Sequence, residues 1–212
     1  MSCAGCDDCT LGTPQSEEIP YEIHVTAGPC PRETLASVAA ASNAKVILIH
    51  NYIGWAPPCR VQFDRLVSAK VAGSYRAACD AMNRIQSAMI EGGVSILRFK
   101  IETAPWHPWA GNPGPDQYFE CHLEVDTATP DGEAALFRAA QAAGVYLSAN
   151  PNKGLTFMAT LRRHQVRFPE FERDLDAVVG SLAAAGFSPK RKIVEFTLLD
   201  SNIGHDAYWM GA

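Results

Sequence analysis

A six-residue segment that alternates polar and apolar side chains occurs twice in this chain. The sequence YEIHVT at residues 21–26 returns as FECHLE at residues 119–124, so each copy places a Glu and a His two positions apart. Successive side chains of a β-strand point to opposite faces, and each segment is therefore expected to have one apolar and one polar face. The polar faces carry Glu22, His24 and Thr26 in the first copy and Glu120, His122 and Glu124 in the second. This repetition predicts an internal duplication that builds a polar site from two halves.

The residues around the two copies predict the same order of secondary structure. After the first copy we expect a helix that begins at Pro31, strands over residues 46–50 and 60–66, a helix capped by Ser74 and a strand over residues 94–103. After the second copy we expect a helix over residues 131–143, strands over 145–148 and 155–163, an amphipathic helix that ends at Gly186 and a strand over 192–199. The predicted fold class is α+β, a tandem duplication of ferredoxin-like (βαββαβ) units with antiparallel sheets enclosing a cleft.

The breaks between these patterns give the expected organisation of the chain. We predict a Cys-rich N-terminal segment (residues 1–19), a first ferredoxin-like repeat (20–103), a Pro/Gly linker (104–117), a second repeat (118–200) and a C-terminal tail (201–212).

Composition argues against several classes of partner. The net charge of −5 disfavours nucleic acid, because proteins that bind it usually carry a basic surface. No apolar run reaches the roughly 18 residues of a membrane span, and the N-terminus lacks the pattern of a secretion signal. We therefore expect a cytoplasmic protein whose partner is a small-molecule substrate, and the oligomeric state stays open.

The strand that closes each unit is expected to have the same two faces. Helices cover one face of a ferredoxin-like sheet, so the apolar side chains of these strands should point towards them. The side chains expected on this core side are Leu97, Phe99 and Ile101 in the first half and Val194, Phe196 and Leu198 in the second.

The opposite face of the closing strands extends the polar set. The first and last strands of a ferredoxin-like unit are neighbours, which brings Glu102 towards His24 and Glu195 towards His122. The cations expected on the polar faces are Arg98, Lys100 and Arg162. One interpretation is a solvated sheet surface without a function. A site in the cleft between the repeats is the interpretation that the duplicated His and Glu favour.

One form of this site holds a metal. Imidazole and carboxylate ligands suit divalent ions such as Fe, Mn, Ni or Zn, and the expected ligands are His24, Glu102, His122 and Glu195. In this pattern the sequence resembles the vicinal oxygen chelate enzymes, in which tandem βαβββ repeats supply a His or Glu from the first and last strands of each copy. The resemblance implies a metal-dependent lyase, isomerase or ring-cleaving dioxygenase of small oxygenated substrates. An additional helix in each predicted repeat departs from that family's unit.

A second resemblance implies chemistry without a metal. The sequence His24-Val25-Thr26 resembles the His-x-Thr signature of the two-histidine phosphodiesterases, in which two such motifs face each other across a cleft as general acid and base. The resemblance implies a hydrolase in which Arg98, Lys100 and Arg162 hold the phosphate. The second copy departs from the signature, because Glu124 stands where the hydroxyl residue is expected.

The candidate catalytic residues lie on the two polar faces: His24, His122, Glu22, Glu120, Glu124, Lys100 and Arg162. If no metal is used, the carboxylates orient the imidazoles or act as general bases. A ligand-binding module without catalysis is the third interpretation, because the chain has no nucleophile elbow, phosphate loop or dinucleotide-binding glycine motif.

The N-terminal segment contains a separate candidate site. Cys3, Cys6 and Cys9 have the spacing C-x2-C-x2-C, which resembles the first three ligands of the bacterial ferredoxin motif for an iron–sulfur cluster. The same thiolates would also suit a second metal such as Zn or Cu(I). A cysteine-rich tail without a cofactor is the alternative.

Overall fold

The structure of the chain is a computed structural model that describes residues 18–53 and 60–207. Cys3, Cys6 and Cys9 lie outside these residues, so the N-terminal cofactor site stays a prediction. The described part of the chain folds into eight β-strands and four α-helices, with short 3-10 helices at Pro108–Gly111 and Ile203–Asp206.

The two halves have the same order of elements. The first half contains β1 (Ile19–Ala27), α1 (Arg32–Ala41), β2 (Lys45–Ile53), β3 (Arg60–Gly73), α2 (Tyr75–Glu91) and β4 (Ile96–Thr103). The second half contains β5 (Tyr118–Asp126), α3 (Pro130–Ala143), β6 (Tyr146–Ala149), β7 (Thr156–His164), α4 (Phe168–Ala184) and β8 (Arg191–Asp200). Each half thus has the βαββαβ order of a ferredoxin-like unit.

The eight strands form one closed antiparallel barrel with the order β1-β3-β2-β6-β7-β5-β8-β4. The halves join where β4 pairs with β8 and where β2 pairs with β6, the latter through His50 opposite Ala149 and Asn51 opposite Ser148. The expected α+β class with antiparallel pairing is confirmed, but the two sheets do not face each other across a cleft. They join edge to edge, because this pairing satisfies backbone N–H and C=O groups that free edge strands would leave unpaired.

Alternation along the strands separates an apolar outer layer from a polar interior. Ile23 and Val25 of β1 are fully buried in the same core as Met82 and Ile85 of α2. The second half has an equivalent core, in which the rings of Phe119, Phe171 and Phe196 are in contact. The helices therefore cover the outside of the barrel, and the polar side chains between the core residues point inward. In the stretches 18–53 and 60–207, the structure shows no helix with the length and apolar character needed to cross a membrane.

The linker between the halves packs on this outer layer. His107 is buried, and its Nε2 lies 3.3 Å from the hydroxyl oxygen of Tyr21 on β1. The ring of Trp109 contacts that of Tyr75 at the start of α2, with 5.1 Å between the ring centroids. These contacts hold the linker against the helix side of the sheet.

Leu97 is an exception to the expected core. It is 44% exposed, whereas Ile101 on the same strand is fully buried. The expected core position of Leu97 is therefore wrong, because the pairing of β4 with β1 shifts register there: Thr26 is opposite Arg98, and Ala27 is opposite Ile96. The difference arises from a β-bulge, because Leu97 is skipped in the pairing with β1, and Ile96 packs against the core in its place.

This difference predicts unequal effects of two similar truncations. Ile101→Ala should lower the free energy of unfolding by about 3 kcal/mol, because it leaves a cavity in the core. Leu97→Ala should lower it by only about 0.5 kcal/mol, because the side chain is already partly in water. Urea denaturation followed by circular dichroism would measure both values, and equal losses would show that Leu97 packs in the core as Ile101 does.

Candidate functional site

The inward side chains surround a cavity of about 520 Å³ inside the barrel. Cavities of this size are typical of small-molecule sites. Among the described residues that line it, seven are Lys or Arg and six are Asp or Glu. Nine candidate site residues from the sequence line the cavity: Glu22, His24, Arg98, Lys100, Glu102, Glu120, His122, Arg162 and Glu195. The polar faces of both halves therefore line one cavity inside the barrel.

Glu124 is selected from the sequence but is not among the lining residues. Its Oε2 is 3.6 Å from Nζ of Lys153, whose side chain is 49% exposed. This contact places Glu124 at the solvent-facing edge of the polar face.

A second, more open cavity of about 620 Å³ lies between the linker and the end of β8. Its lining includes two carboxylates, Asp116 and Asp200, and no His, Lys or Arg among the described residues. It does not contain the titratable groups that the sequence brings together, so the barrel interior is the candidate site.

Strand register explains how each half assembles its part of the site. On β1 and β4, Glu22 is opposite Glu102, and His24 is opposite Lys100. On β5 and β8, Glu120 is opposite Glu195, and His122 is opposite Ile193. The halves have the same residue types at these positions except where Lys100 in the first half corresponds to Ile193 in the second.

The third strand of each half adds a matching pair. On β3, Lys70 lies opposite Glu22 and Ser68 lies opposite His24. On β7, Arg162 lies opposite Glu120 and Thr160 lies opposite His122. Glu22 and Glu120 thus each have a cation opposite them, and His24 and His122 each have a hydroxyl group. Lys70 also hydrogen-bonds to Glu22, and although burial opposes ionisation, this contact lowers the pKa of Glu22.

The ammonium group of Lys100 links the two halves. Its Nζ lies 2.5 Å from Oε1 of Glu102 and 3.0 Å from Oε2 of Glu120, one carboxylate from each half. Burial disfavours the charged form of all three groups, but their mutual attraction, with Arg162 adding to it at Glu120, outweighs this effect. The pKa of Lys100 is therefore raised, and the pKa values of Glu102 and Glu120 are lowered. All three groups are charged at neutral pH.

The two inward histidines are held differently. Nε2 of His24 is 3.0 Å from Oε2 of Glu102, and its Nδ1 is buried without a hydrogen-bond partner among the described residues. Nδ1 of His122 is instead 2.9 Å from Oγ1 of Thr160. Nε2 of His122 lies 3.7 Å from Oε2 of Glu195, which is too long for a direct hydrogen bond. The first half thus forms a closed pair, whereas the second leaves its imidazole and carboxyl group facing each other across a gap.

Glu195 differs from Glu22, Glu102 and Glu120, because its carboxyl group has no cation in contact among the described residues. No Lys or Arg in the described part of the chain forms an ion pair with it, and its side chain is 17% exposed. Burial raises the pKa of Glu195, and the negative charge of Glu102 adds to the effect, giving a pKa of about 8. Burial also lowers the pKa of His122. At neutral pH the second half therefore contains a protonated carboxyl group beside a neutral imidazole.

Two arginines and three acidic residues form an ionic cluster in the same interior. Arg98 donates Nε–H to Oδ1 of Asp200 over 2.8 Å, and Arg162 donates Nε–H to Oε1 of Glu120 over 3.0 Å. Both arginines also donate to one oxygen, Oδ2 of Asp206, over 2.8 and 2.7 Å. Asp206 comes from the short 3-10 helix after β8 and not from a strand of the barrel.

Tyr118, Asp200 and Asp206 belong to this network but are not among the site residues predicted from the sequence. The hydroxyl group of Tyr118 donates to Oδ2 of Asp200 over 2.8 Å, and its ring lies 4.4 Å from the guanidinium carbon of Arg162. Tyr118 is two residues before Glu120, so strand alternation already carried a signal for its inward position. The two aspartates gave no such signal.

Asp64, His205 and Asp206 form the other titratable cluster. One potential ligand atom from each of these residues lies within 4.8 Å of the others. Among the described residues, this is the cluster whose geometry could hold a metal ion. Nε2 of His205 is 3.2 Å from Oδ1 of Asp64, and this hydrogen bond raises the pKa of His205. Because Asp206 already accepts hydrogen bonds from two arginines, we interpret the cluster as an ion-pair contact. The four metal ligands expected from the sequence are not members of it.

Comparison with known proteins gives no family. No protein-family model and no curated protein matches the chain. The regulatory subunit of aspartate kinase from Thermus thermophilus is a similar solved structure, with 14% identity over 78% of this chain and 93% of that chain and a TM-score of 0.35. A variant of chlorite dismutase from Candidatus Nitrospira defluvii has 10% identity, covers 91% of this chain and 94% of its own, and has a TM-score of 0.31. A heme-binding protein from Thermus thermophilus has 10% identity, 86% and 92% coverage and a TM-score of 0.30. These values are too low to assign an activity.

The resemblance to the vicinal oxygen chelate enzymes is wrong. Each half of this chain has a helix between its third and fourth strands, where the βαβββ unit would continue directly with a strand. The amphipathic pattern of α2 and α4 requires this second helix, because its apolar face covers the outside of the sheet.

The bridge formed by Lys100 predicts a large effect of its removal. Lys100→Met should lower the free energy of unfolding by about 3 kcal/mol, because Glu102 and Glu120 lose a buried counter-charge. Lys153→Met is the matched control, since Lys153 forms an exposed pair whose loss should cost less than about 1 kcal/mol. Urea denaturation at neutral pH would measure both, and similar values for the two variants would contradict the bridging role.

The environment of Glu195 predicts a specific pH dependence of stability. A carboxyl group whose pKa is raised in the folded state stabilises the fold below its ordinary pKa, and this contribution is lost as the pH rises through the folded value of about 8. The wild-type protein should therefore lose stability relative to Glu195→Gln between about pH 5 and pH 8. Denaturation curves of both proteins across this range would test it, and a constant difference would show that Glu195 is ionised in the folded state.

Proposed function

We propose that the protein is an enzyme that binds a small polar molecule inside the barrel and transfers protons to and from it with Glu195 and His122. The observation that carries this proposal is the distance of 3.7 Å between these two side chains in the wall of the barrel cavity. Both groups are accessible, with side-chain exposures of 17% for Glu195 and 29% for His122. A reacting atom of a bound molecule can therefore approach both.

The protonation states support this assignment. General acid–base catalysis needs groups whose pKa values lie near the working pH and whose environments differ. Glu195 has a pKa of about 8 and can donate a proton, and His122 has a lowered pKa and can accept one. Neighbouring cations lower the pKa values of Glu22, Glu102 and Glu120, which are therefore ionised. Their charges contribute to the electrostatic field in the cavity and orient the bound molecule, and Glu195 supplies the proton.

The closed pair in the first half supports a different role for His24. Its Nε2 is within hydrogen-bonding distance of Glu102, which is itself bound to Lys100. Because this contact occupies Nε2 of the imidazole, we assign His24 to binding or orientation of the ligand. We also infer that the two halves descend from one duplicated ferredoxin-like unit, which the matching Glu, His and hydroxyl positions of β1, β3, β5 and β7 support.

A metal cofactor is the competing proposal for this interior. Its expected ligands, His24, Glu102, His122 and Glu195, surround a space in which the ammonium of Lys100 already neutralises two carboxylates. A divalent ion held by these residues would have to compete with that ammonium group, so we favour proton transfer by the side chains. Heme, which one similar structure binds according to its description, is a further probe for the experiment below.

Rates with chromogenic probes would test the proton-transfer role. We expect the wild-type protein to accelerate the ring opening of nitrobenzisoxazole, in which a base removes a C–H proton and an acid protonates the leaving oxygen. His122→Ala and Glu195→Gln should each reduce the rate by about 100-fold. The rate should fall as the pH rises through the Glu195 pKa of about 8, and Glu195→Gln should lack this decline.

Two controls define the outcomes. His50 lies on β2 outside the lining of the cavity, so His50→Ala should retain the wild-type rate. Loss of activity with a chelator, or its appearance only with added Zn, Mn or hemin, would favour the cofactor proposal. Activity towards bis(nitrophenyl) phosphate that depends on both His24 and His122 would favour the phosphodiesterase alternative. A wild-type rate in His122→Ala would refute the proton-transfer role.

A further inference from the structure

The carboxylate of Asp206 lies in a binding position formed by two arginines. Its Oδ2 accepts hydrogen bonds from Nη1 of Arg98 over 2.8 Å and from Nη2 of Arg162 over 2.7 Å. Asp206 and both arginines are among the residues that line the barrel cavity. Two guanidinium groups converging on one oxygen is the geometry with which proteins bind carboxylate and phosphate groups.

The arginines are held in place without Asp206. Arg98 is bound to Asp200 of β8, and Arg162 is bound to Glu120 of β5, each through two hydrogen bonds. The guanidinium groups therefore have partners on the barrel strands that fix their orientation. Asp206 is an additional carboxylate, and it comes from the 3-10 helix Ile203–Asp206 that follows the last strand. Its removal would leave a preformed position for an oxygen atom.

The charge of the cavity also favours an anion. The chain as a whole has a net charge of −5, yet the described lining contains seven Lys or Arg against six Asp or Glu. Glu195 is protonated at neutral pH, and Asp206 itself is one of the six, so the lining without these two carboxylates has a clear positive excess. Such a cavity attracts a negatively charged molecule.

The position adjoins the proposed acid–base pair. Arg162 contacts both Asp206 and Glu120 through Nη2, over 2.7 and 2.8 Å. Oε2 of Glu120 lies 3.9 Å from Nε2 of His122. A molecule whose charged group occupies the place of Asp206 therefore extends towards His122 within the same cavity.

We propose that Arg98 and Arg162 bind an oxyanion group of the cavity's ligand, and that the carboxylate of Asp206 occupies this position in its absence. This inference rests on the proposed function, because it names the substrate class of the same site: a small molecule with a carboxylate or phosphate group. Binding of the ligand displaces Asp206, and with it the 3-10 helix, from the barrel.

Anion binding by an Asp206 variant tests the proposal. Isothermal titration calorimetry of full-length Asp206→Ala with acetate or phosphate, at constant ionic strength, should show binding at least about tenfold tighter than in the wild type, because the competing carboxylate is gone. Asp126→Ala is the matched control, since Asp126 is an exposed aspartate paired with Lys190 and lies outside the cavity. It should bind both anions as the wild type does. Acetamide, which has the shape of acetate without its charge, should bind to none of the three proteins.

The outcomes separate the ligand classes and the two proposals. A gain for acetate alone supports a carboxylate ligand, and a gain for phosphate alone supports a phosphorylated one. Equal affinities of Asp206→Ala and Asp126→Ala for both anions would overturn the proposal. Because no turnover is measured, this result does not depend on His122 or Glu195, and failure of the acid–base role would leave it unchanged.

Hydrogen exchange in the wild-type protein provides a second test that needs no stable variant. Saturating acetate or phosphate should increase the exchange of backbone amides at residues 203–207, because the displaced helix loses its contact with the arginines. Exchange at the strand that carries Glu120 should stay unchanged. If both anions leave the exchange of residues 203–207 unchanged, Asp206 is a permanent structural partner of the arginines and the proposal is wrong.

Discussion

Closure of the sheet through the β4–β8 pair determines the chemistry of the interior. On an open antiparallel sheet the same Glu, His and Lys side chains would face water, where charges attract each other weakly and titrate near their ordinary pKa values. In the barrel they share an enclosed space, and burial strengthens both the attraction between charges and the penalty for an unpaired one. The raised pKa of Glu195 and the lowered pKa values of Glu102 and Glu120 follow from this enclosure. The pairing of β4 with β8 thus converts a polar surface into a site.

A single difference between the halves explains the asymmetry of the site. His24 lies opposite Lys100, and His122 lies opposite Ile193 at the equivalent place. Lys100 supplies the counter-charge for Glu102 and also reaches Glu120 of the other half. The second half contributes no cation at this place, and Glu195 therefore keeps its proton. The repeated strand pattern supplies the two histidines, and the apolar Ile193 at the place of Lys100 leaves Glu195 without a cation in contact among the described residues.

Much of the fold followed from alternation and turn residues in the sequence, but part of the site did not. The two amphipathic strands and the neighbouring closing strands were sufficient to place Glu102 near His24 and Glu195 near His122. The pairing of β4 with β8 was missed, because contact between strands of different units leaves no local pattern. Asp200 was missed for a related reason: the register of β8 against β4 shifts between Ile101 and Glu102, which turns Asp200 inward, out of step with Glu195.

The composition of the interior is itself an argument for function. Buried ion pairs contribute little stability compared with apolar side chains of similar volume, because each charge loses its hydration. A barrel of this size filled with apolar residues, like its outer layer, would satisfy the fold. The interior instead contains Lys100, Arg98 and Arg162 with their acidic partners, a histidine from each half and a protonated carboxyl group around an accessible cavity. Glu120 contacts both Lys100 and Arg162, so one ion-pair network connects the proposed acid–base pair with the position between the two arginines. A charge bound between the arginines therefore changes the electrostatic environment of His122 and Glu195.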